Sequence, residues 1–224
     1  MERLDGLTFE GLTKRARGLV ADGRRAVLGI TGAPAAGKTT LAEELVAALA
    51  PAPPPGLTAG RWVTHVPMDG FHLADVELDR LGLRDRKGAP ETFDSRGYAA
   101  LLRRLHEDED DIIYAPGFER VIEQPIAGAI PIEREARLII TEGNYLLLWN
   151  DLRLDEVWYA DLDQDTRLER LILRHVRFGK PEPAAIAWAT GTDERNAALI
   201  AATRDRADLV IPAGLIHSVG TAPD

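Results

Sequence analysis

The chain contains no cysteine, which excludes disulfides, thiolate metal sites and a cysteine nucleophile. No apolar run approaches the roughly 20 residues needed to span a bilayer. The start, "MERLDGLTFEGL", lacks the apolar core of a signal peptide. These absences point to a cytoplasmic protein with no membrane partner. Positive charge is also short, since 27 lysines and arginines against 36 acids leave a net charge of −9. Nucleic-acid phosphates are met by basic surfaces, so no nucleic-acid partner is expected. No internal repeat is evident.

The composition is otherwise that of an ordinary globular protein, 45% hydrophobic and 28% charged over 224 residues. That length suits a single α/β domain, residues 1–224, with insertions. "TFEGLTKRARGLVA", residues 8–21, reads as an amphipathic helix capped by Thr8, with Leu12, Ala16, Leu19 and Val20 along one side. "AVLGIT", Ala26 to Thr31, is a continuous apolar run, the pattern of a strand buried on both faces of a parallel sheet. "KTTLAEELVAALA" then reads as helix until "PAPPPG" breaks it. "WVTHVPM" is a second strand, and residues 69–97 read as an irregular, charged insertion on the substrate side. Further strands are expected in "DIIYAP", "RLIITEG", "EVWYADLD" and "ADLVIP", with helices over "YAALLRRLHE", about 163–178 and 184–205. Strands alternating with helices imply a parallel sheet covered on both faces.

"GITGAPAAGKTT" holds a complete G-x-x-x-x-G-K-[ST] pattern from Gly32 to Thr39, between a buried strand and a helix. Such a loop curls its N–H groups onto phosphate oxygens, and the helix N-terminus adds partial positive charge. Gly32, Ala33, Ala35, Ala36 and Gly37 form that cradle, with Thr40 just beyond it. Lys38 would reach the β and γ phosphates, and the Thr39 hydroxyl would hold Mg²⁺. The guanine-reading N-K-x-D motif of GTPases is absent. Glu142 follows the strand in "ARLIITEG", where an acid beside the phosphate loop can hold Mg²⁺. In "DTRLERLILRHVRFGK", Arg167, Arg170, Arg174 and Arg177 fall within a narrow helical arc, with Leu168, Ile172 and Val176 on the other side. Along that arc only Arg167 has an obvious acidic partner, Asp163. Unpaired, closely spaced arginines call for an anion among them, as in a lid that closes on a transferring phosphoryl group.

"VPMDGFHL" places Asp69 at a strand end. Asp-Gly is a common turn pair, yet phosphoryl transfer to an alcohol needs a carboxylate to take the hydroxyl proton, and Asp69 belongs to the same sheet edge as Lys38 and Glu142. His72 fits three roles: base, substrate-orienting group or packed turn residue.

Taken in order, "GAPAAGKTT", "MDGFHL", "PETFD", "IITEGNYLLL", "DTRLERLILRH" and "ADLVIP" resemble the uridine kinase, phosphoribulokinase and bacterial pantothenate kinase superfamily. The likeness runs from about Ala26 to Pro212 and is nearest to its bacterial nucleoside/nucleotide kinase-like branch, some members of which are called fructose-transport kinases. The resemblance implies a P-loop NTPase fold with a five-stranded parallel core, ATP and Mg²⁺, Asp69 as general base, and a lid over about 163–181. Within it, Arg167 and Arg170 would contact ATP, and Arg170 and Arg174 would serve catalysis. It also implies an acceptor site lined by Phe93 and Asp94, and a homodimer. "YAPGFERVIEQPIAGAIPI" departs from uridine kinases. There Tyr114 and Phe118 suit stacking on a ring, whereas Arg120 suits a carboxylate or phosphate. Asn196 is a further substrate candidate. The expected activity is ATP-dependent phosphorylation of a hydroxyl on a small metabolite, a nucleoside first, then a sugar or a pantothenate-like acid. A regulatory P-loop ATPase is the alternative of another class.

Overall fold

The structure, a computed structural model, describes residues 7–219. The first six residues, part of the stretch read above for a signal peptide, lie outside them. Five strands form one parallel sheet: β1 (Ala26–Thr31), β2 (Val63–Pro67), β5 (Leu138–Glu142), β6 (Glu156–Asp161) and β7 (Leu209–Pro212), in the spatial order β2-β5-β1-β6-β7. All six residues of β1 and all five of β5 are buried, as continuous apolar runs at the centre of a doubly covered sheet require. The P-loop NTPase expectation of a five-stranded parallel core is met.

One face of the sheet carries α1 (Phe9–Gly18), α2 (Lys38–Leu49) and α8 (Ala213–Val219). Leu28 and Ile30 of β1 pack there with Leu12, Leu41, Leu45 and Trp158. Thr8 caps α1 as expected, accepting a hydrogen bond from the Gly11 N–H at 3.0 Å. Val27 turns to the other face, where it joins Tyr98, Leu102 and Leu105 of α4 (Ser95–Glu107). Arg25, just before β1, ties that layer together from a buried position. Its guanidinium donates to the carbonyls of Ala136, Leu105, Glu133 and Arg134 and lies 3.1 Å from Asp108.

Three segments differ from the sequence reading. "DIIYAP" does not join the parallel sheet. It lies in β3 (Ile112–Glu119), which pairs antiparallel with β4 (Gln124–Glu133) in a separate hairpin, bulged between Ala115 and Gly117. Five of the ten β4 residues are exposed, so its apolar signal was too weak to mark a strand. The 69–97 insertion is more ordered than expected, with α3 (Asp75–Leu81) and short 3₁₀ turns. The helix expected over 184–205 is divided into α6 (Glu182–Trp188), a π-helical turn at Ala189–Asp193, and α7 (Glu194–Ala201). The arginine segment forms α5 (Gln164–Arg177), capped by Asp163, which accepts from the Thr166 N–H at 2.9 Å.

On β2, the His65 imidazole has a buried Nε2 without a hydrogen-bond partner, and burial pushes its pKa down to about 4. A folded-state value below the ordinary 6.5 means that this contribution to stability is complete above pH 6.5 and is lost as pH falls through about 4. Urea midpoints of the wild type are therefore expected to drop between about pH 6.5 and about pH 4 by more than those of His65→Leu. An equal drop in both proteins would remove His65 as the source.

Candidate active site

The sheet's register assembles the site. Ile30 of β1 and Pro67 of β2 both pair with Glu142 of β5, so the three chains leave the sheet at one level. The phosphate loop follows β1, Asp69 follows β2, and Glu142 ends β5. A cavity of about 420 Å³ opens at this carboxyl edge, lined by Lys38, Thr39, Asp69 and Glu142 among others.

The loop has the curled backbone that its motif implies. Gly32 (φ 150°) and Gly37 (φ 88°) hold positive φ, as does Ala35 (φ 65°), where a side chain makes that conformation costly. A Cβ on Gly32 would lie 2.6 Å from the Ala160 carbonyl oxygen, so only glycine lets the loop pass β6. Gly37 starts α2 without any side-chain cap, leaving the helix N–H groups to an external acceptor. Ala33 accepts a hydrogen bond from Lys38 Nζ at 3.0 Å. Ala36 is buried and Thr40 is exposed.

Lys38 and Glu142 are 7% and 4% exposed. Burial pulls the Lys38 ammonium down to about 8 against the opposing pull of Glu142. Glu142 is pushed up to about 7, by burial first and by Asp69 second. Thr39 Oγ1 donates to Glu142 Oε1 at 3.1 Å. Among the described residues no cluster of three or more His, Cys, Asp or Glu side chains could hold a metal alone. The Thr39–Glu142 oxygen pair does fit Mg²⁺, which takes one or two protein oxygens and fills its octahedron with phosphate and water.

Asp69 answers the question its glycine raises. A Cβ on Gly70 would lie 2.2 Å from the Pro116 carbonyl oxygen, so glycine there admits the β3–β4 hairpin against the Asp69 turn. That approach delivers Phe118 and Arg120 to the cavity, where Arg120 Nη2 donates to Asp69 Oδ2 at 2.6 Å. Burial acts to raise Asp69, but His72, Arg120 and Lys38 outweigh it and hold the carboxyl below its usual range. His72 packs its ring 3.9 Å from Phe93 and 4.8 Å from Phe118, centroid to centroid, with Nδ1 2.9 Å from the Asp69 carbonyl oxygen. Burial pulls its pKa below the ordinary value against the opposing pull of Asp69, and the ring forms one wall of the cavity.

Other expected residues fall elsewhere. Asp94 is spent capping α4, accepting from the Gly97 N–H at 2.8 Å, and does not line the cavity. Tyr114 is 58% exposed on the hairpin and is also outside it. Asn196 is buried and donates to the Gly88 carbonyl at 3.3 Å, supporting a lining residue from behind. The arginine arc is split. Arg174 lines the cavity, Arg167 is buried against Glu194, and Arg170 and Arg177 line nothing there. Leu171, not the expected apolar side, is the buried leucine of α5, and Val176 is exposed.

Residues not anticipated complete the wall. Arg84, Lys87 and Lys180 line it, as do Trp188 and the His175–Asp193 pair, joined at 2.7 Å. Asp193 comes from the π-helical turn, an irregularity that often marks functional sites. "WATGTDERN" carries no local signal for that turn, which only its packing against α5 reveals.

Among the described residues no helix is long and apolar enough to cross a membrane. No family model matches the chain. A Schizosaccharomyces pombe protein named as a candidate uridine kinase is 30% identical over 230 residues, covering 97% of this chain and 96% of that protein. A pantothenate kinase of Rhodococcus jostii is 28% identical over 225 residues, covering 86% of this chain and 69% of its own length. A solved structure from Silicibacter, described as a candidate fructose transport system kinase, superimposes with a TM-score of 0.80 at 37% identity, covering 92% of this chain and 100% of that one. The phosphate loop, the strand-end acids and these relatives agree, and the chain belongs to the superfamily of P-loop small-molecule kinases that takes in uridine kinase, phosphoribulokinase and bacterial pantothenate kinase.

Proposed function

We propose that the protein transfers the γ-phosphoryl group of ATP to a hydroxyl of a small metabolite, with Asp69 as the base. The observation that carries this reading is the gathering of Lys38, Thr39, Asp69 and Glu142 around one cavity at the carboxyl edge of the sheet. Lys38 and the uncapped N-terminus of α2 hold the phosphates. Thr39 and Glu142 would hold Mg²⁺, which when bound neutralises charge developing on the phosphoryl oxygens. Asp69 accepts the hydroxyl proton as the acceptor oxygen bonds to the γ-phosphorus, and the bond to the β-phosphate oxygen breaks with its electron pair leaving on ADP. Arg174 adds positive charge beside the transferring group. The segment from about 163 to 181, bearing Arg174, His175 and Lys180, acts as the lid.

A hydroxyl acceptor, rather than water, is favoured by the aromatic wall of His72, Phe93 and Phe118 beside Asp69. Incubation with ATP and Mg²⁺ across nucleosides, sugars, sugar phosphates and pantothenate, read by mass spectrometry, is expected to yield one product heavier by a single phosphoryl group. Asp69→Asn should lower that turnover by about 10²- to 10⁴-fold while leaving ATP binding within about twofold. Near wild-type turnover in the variant would remove Asp69 from the role, and partner-stimulated phosphate release without any phosphorylated metabolite would favour the regulatory ATPase. Gly70→Ala, by displacing the hairpin from Asp69, should reduce kcat/KM for the acceptor by about a hundredfold, with the KM for ATP little changed. Unchanged acceptor kinetics would show that the hairpin does not shape the acceptor site.

A further inference from the structure

The base is not free. Asp69 accepts a charge-assisted hydrogen bond from Arg120 at 2.6 Å, and such bonds are roughly twice as strong as those between neutral groups. An acceptor hydroxyl therefore meets a carboxylate whose Oδ2 is already engaged and whose basicity the guanidinium lowers. A neutral alcohol offers Arg120 nothing in return, whereas a carboxylate or phosphate offers the bidentate partner that the guanidinium fork fits best.

The surroundings of Arg120 favour the exchange. It sits at the end of β3, its side chain about half exposed, with its guanidinium 5.2 Å from the Phe118 ring centroid. Lys87 Nζ lies 5.7 Å from the centroid of the same ring, so two cations border one aromatic wall of the cavity. Lys87 is held by Asp75 at 2.6 Å, and Asp75 also holds Arg84, another lining residue, at 2.7 Å. One carboxylate thus serves two cations, with the largely exposed Asp79 a second contact for Arg84 at 3.3 Å.

We propose that the acceptor is a small alcohol carrying a carboxylate or phosphate, and that this anion draws Arg120 away from Asp69, freeing the base only when the acceptor is in place. The inference rests on Asp69 as the base of a kinase, and it adds the acceptor's charge class and a restraint on wasteful transfer to water. With no acceptor, the latch leaves Asp69 engaged.

The test compares wild type with Arg120→Gln, using ATP and Mg²⁺ and five acceptors: uridine and fructose as neutral alcohols, pantothenate and glycerate as carboxylates, and fructose 6-phosphate as a phosphate. Wild type should favour an anionic acceptor over the neutral ones by about a hundredfold or more in kcat/KM, and which anion wins separates carboxylate from phosphate. Arg120→Gln should raise the KM for that acceptor by about tenfold or more, with a smaller change in kcat, and should increase ATP hydrolysis in the absence of acceptor. Arg120→Lys should restore part of the preference, which loss of packing alone would not produce. Equal or better use of uridine or fructose by wild type would overturn the inference and leave the kinase reading standing. So would an Arg120→Gln enzyme with unchanged KM and unchanged acceptor-free hydrolysis. Phosphate release with no phosphorylated product from these five or from the wider screen of nucleosides, sugars, sugar phosphates and pantothenate would overturn the kinase reading, and the inference with it.

Discussion

A lysine ammonium and two carboxylates held within one sheet edge are the constraint around which this protein is arranged. Taking charges out of water costs several kcal/mol per ion unless partners compensate. Lys38 and Glu142 are almost fully buried, and the balance among them, Asp69 and Arg120 is incomplete, as the displaced pKa values of Lys38 and Glu142 record. A fold optimised for stability alone would place apolar residues there. Retaining the cluster makes sense where phosphate and a divalent cation complete it.

The sheet exists to hold that cluster in register. Parallel pairing of β1 and β2 with β5 sets Ile30, Pro67 and Glu142 at one level, with Gly32 and Asp69 two residues beyond it, and apolar layers on both faces make the pairing rigid. The close approaches are made by glycines with no room for a side chain, Gly32 against Ala160 and Gly70 against Pro116. The first seats the phosphate loop against β6. The second docks the hairpin that brings Arg120 to Asp69, so a local backbone allowance governs the acceptor side.

What could be read from the sequence follows how local each signal is. β1, α2 and the phosphate loop were legible because strand, glycine spacing and helix lie within one short stretch, whose bounds the structure reproduces, and Glu142 because it directly ends the apolar run of β5. The acceptor side was less legible. β4 carries Pro125, Gly128 and Pro131 and exposes half of its residues, so neither alternation nor propensity marks it. Asp94 and Asn196 looked like substrate ligands by motif and type, but one was needed as a helix cap and the other as a buried prop for Gly88. The arginine arc had the right spacing, yet spacing does not say which turn of the helix meets the cavity. Only Arg174 does so, while Arg167 is taken by Glu194. Lys87 reaches the cavity from the 69–97 insertion, and Lys180 and Asp193 from the helical stretch after α5, a convergence that only the tertiary fold creates.

The most direct test of the central claim, that the buried cluster is built for nucleotide phosphate, is the thermal stability of wild type and Lys38→Met with and without ATP and Mg²⁺. The account predicts that ATP and Mg²⁺ raise the Tm of wild type and leave that of the variant nearly unchanged. Equal stabilisation of both proteins by ATP and Mg²⁺ would contradict it.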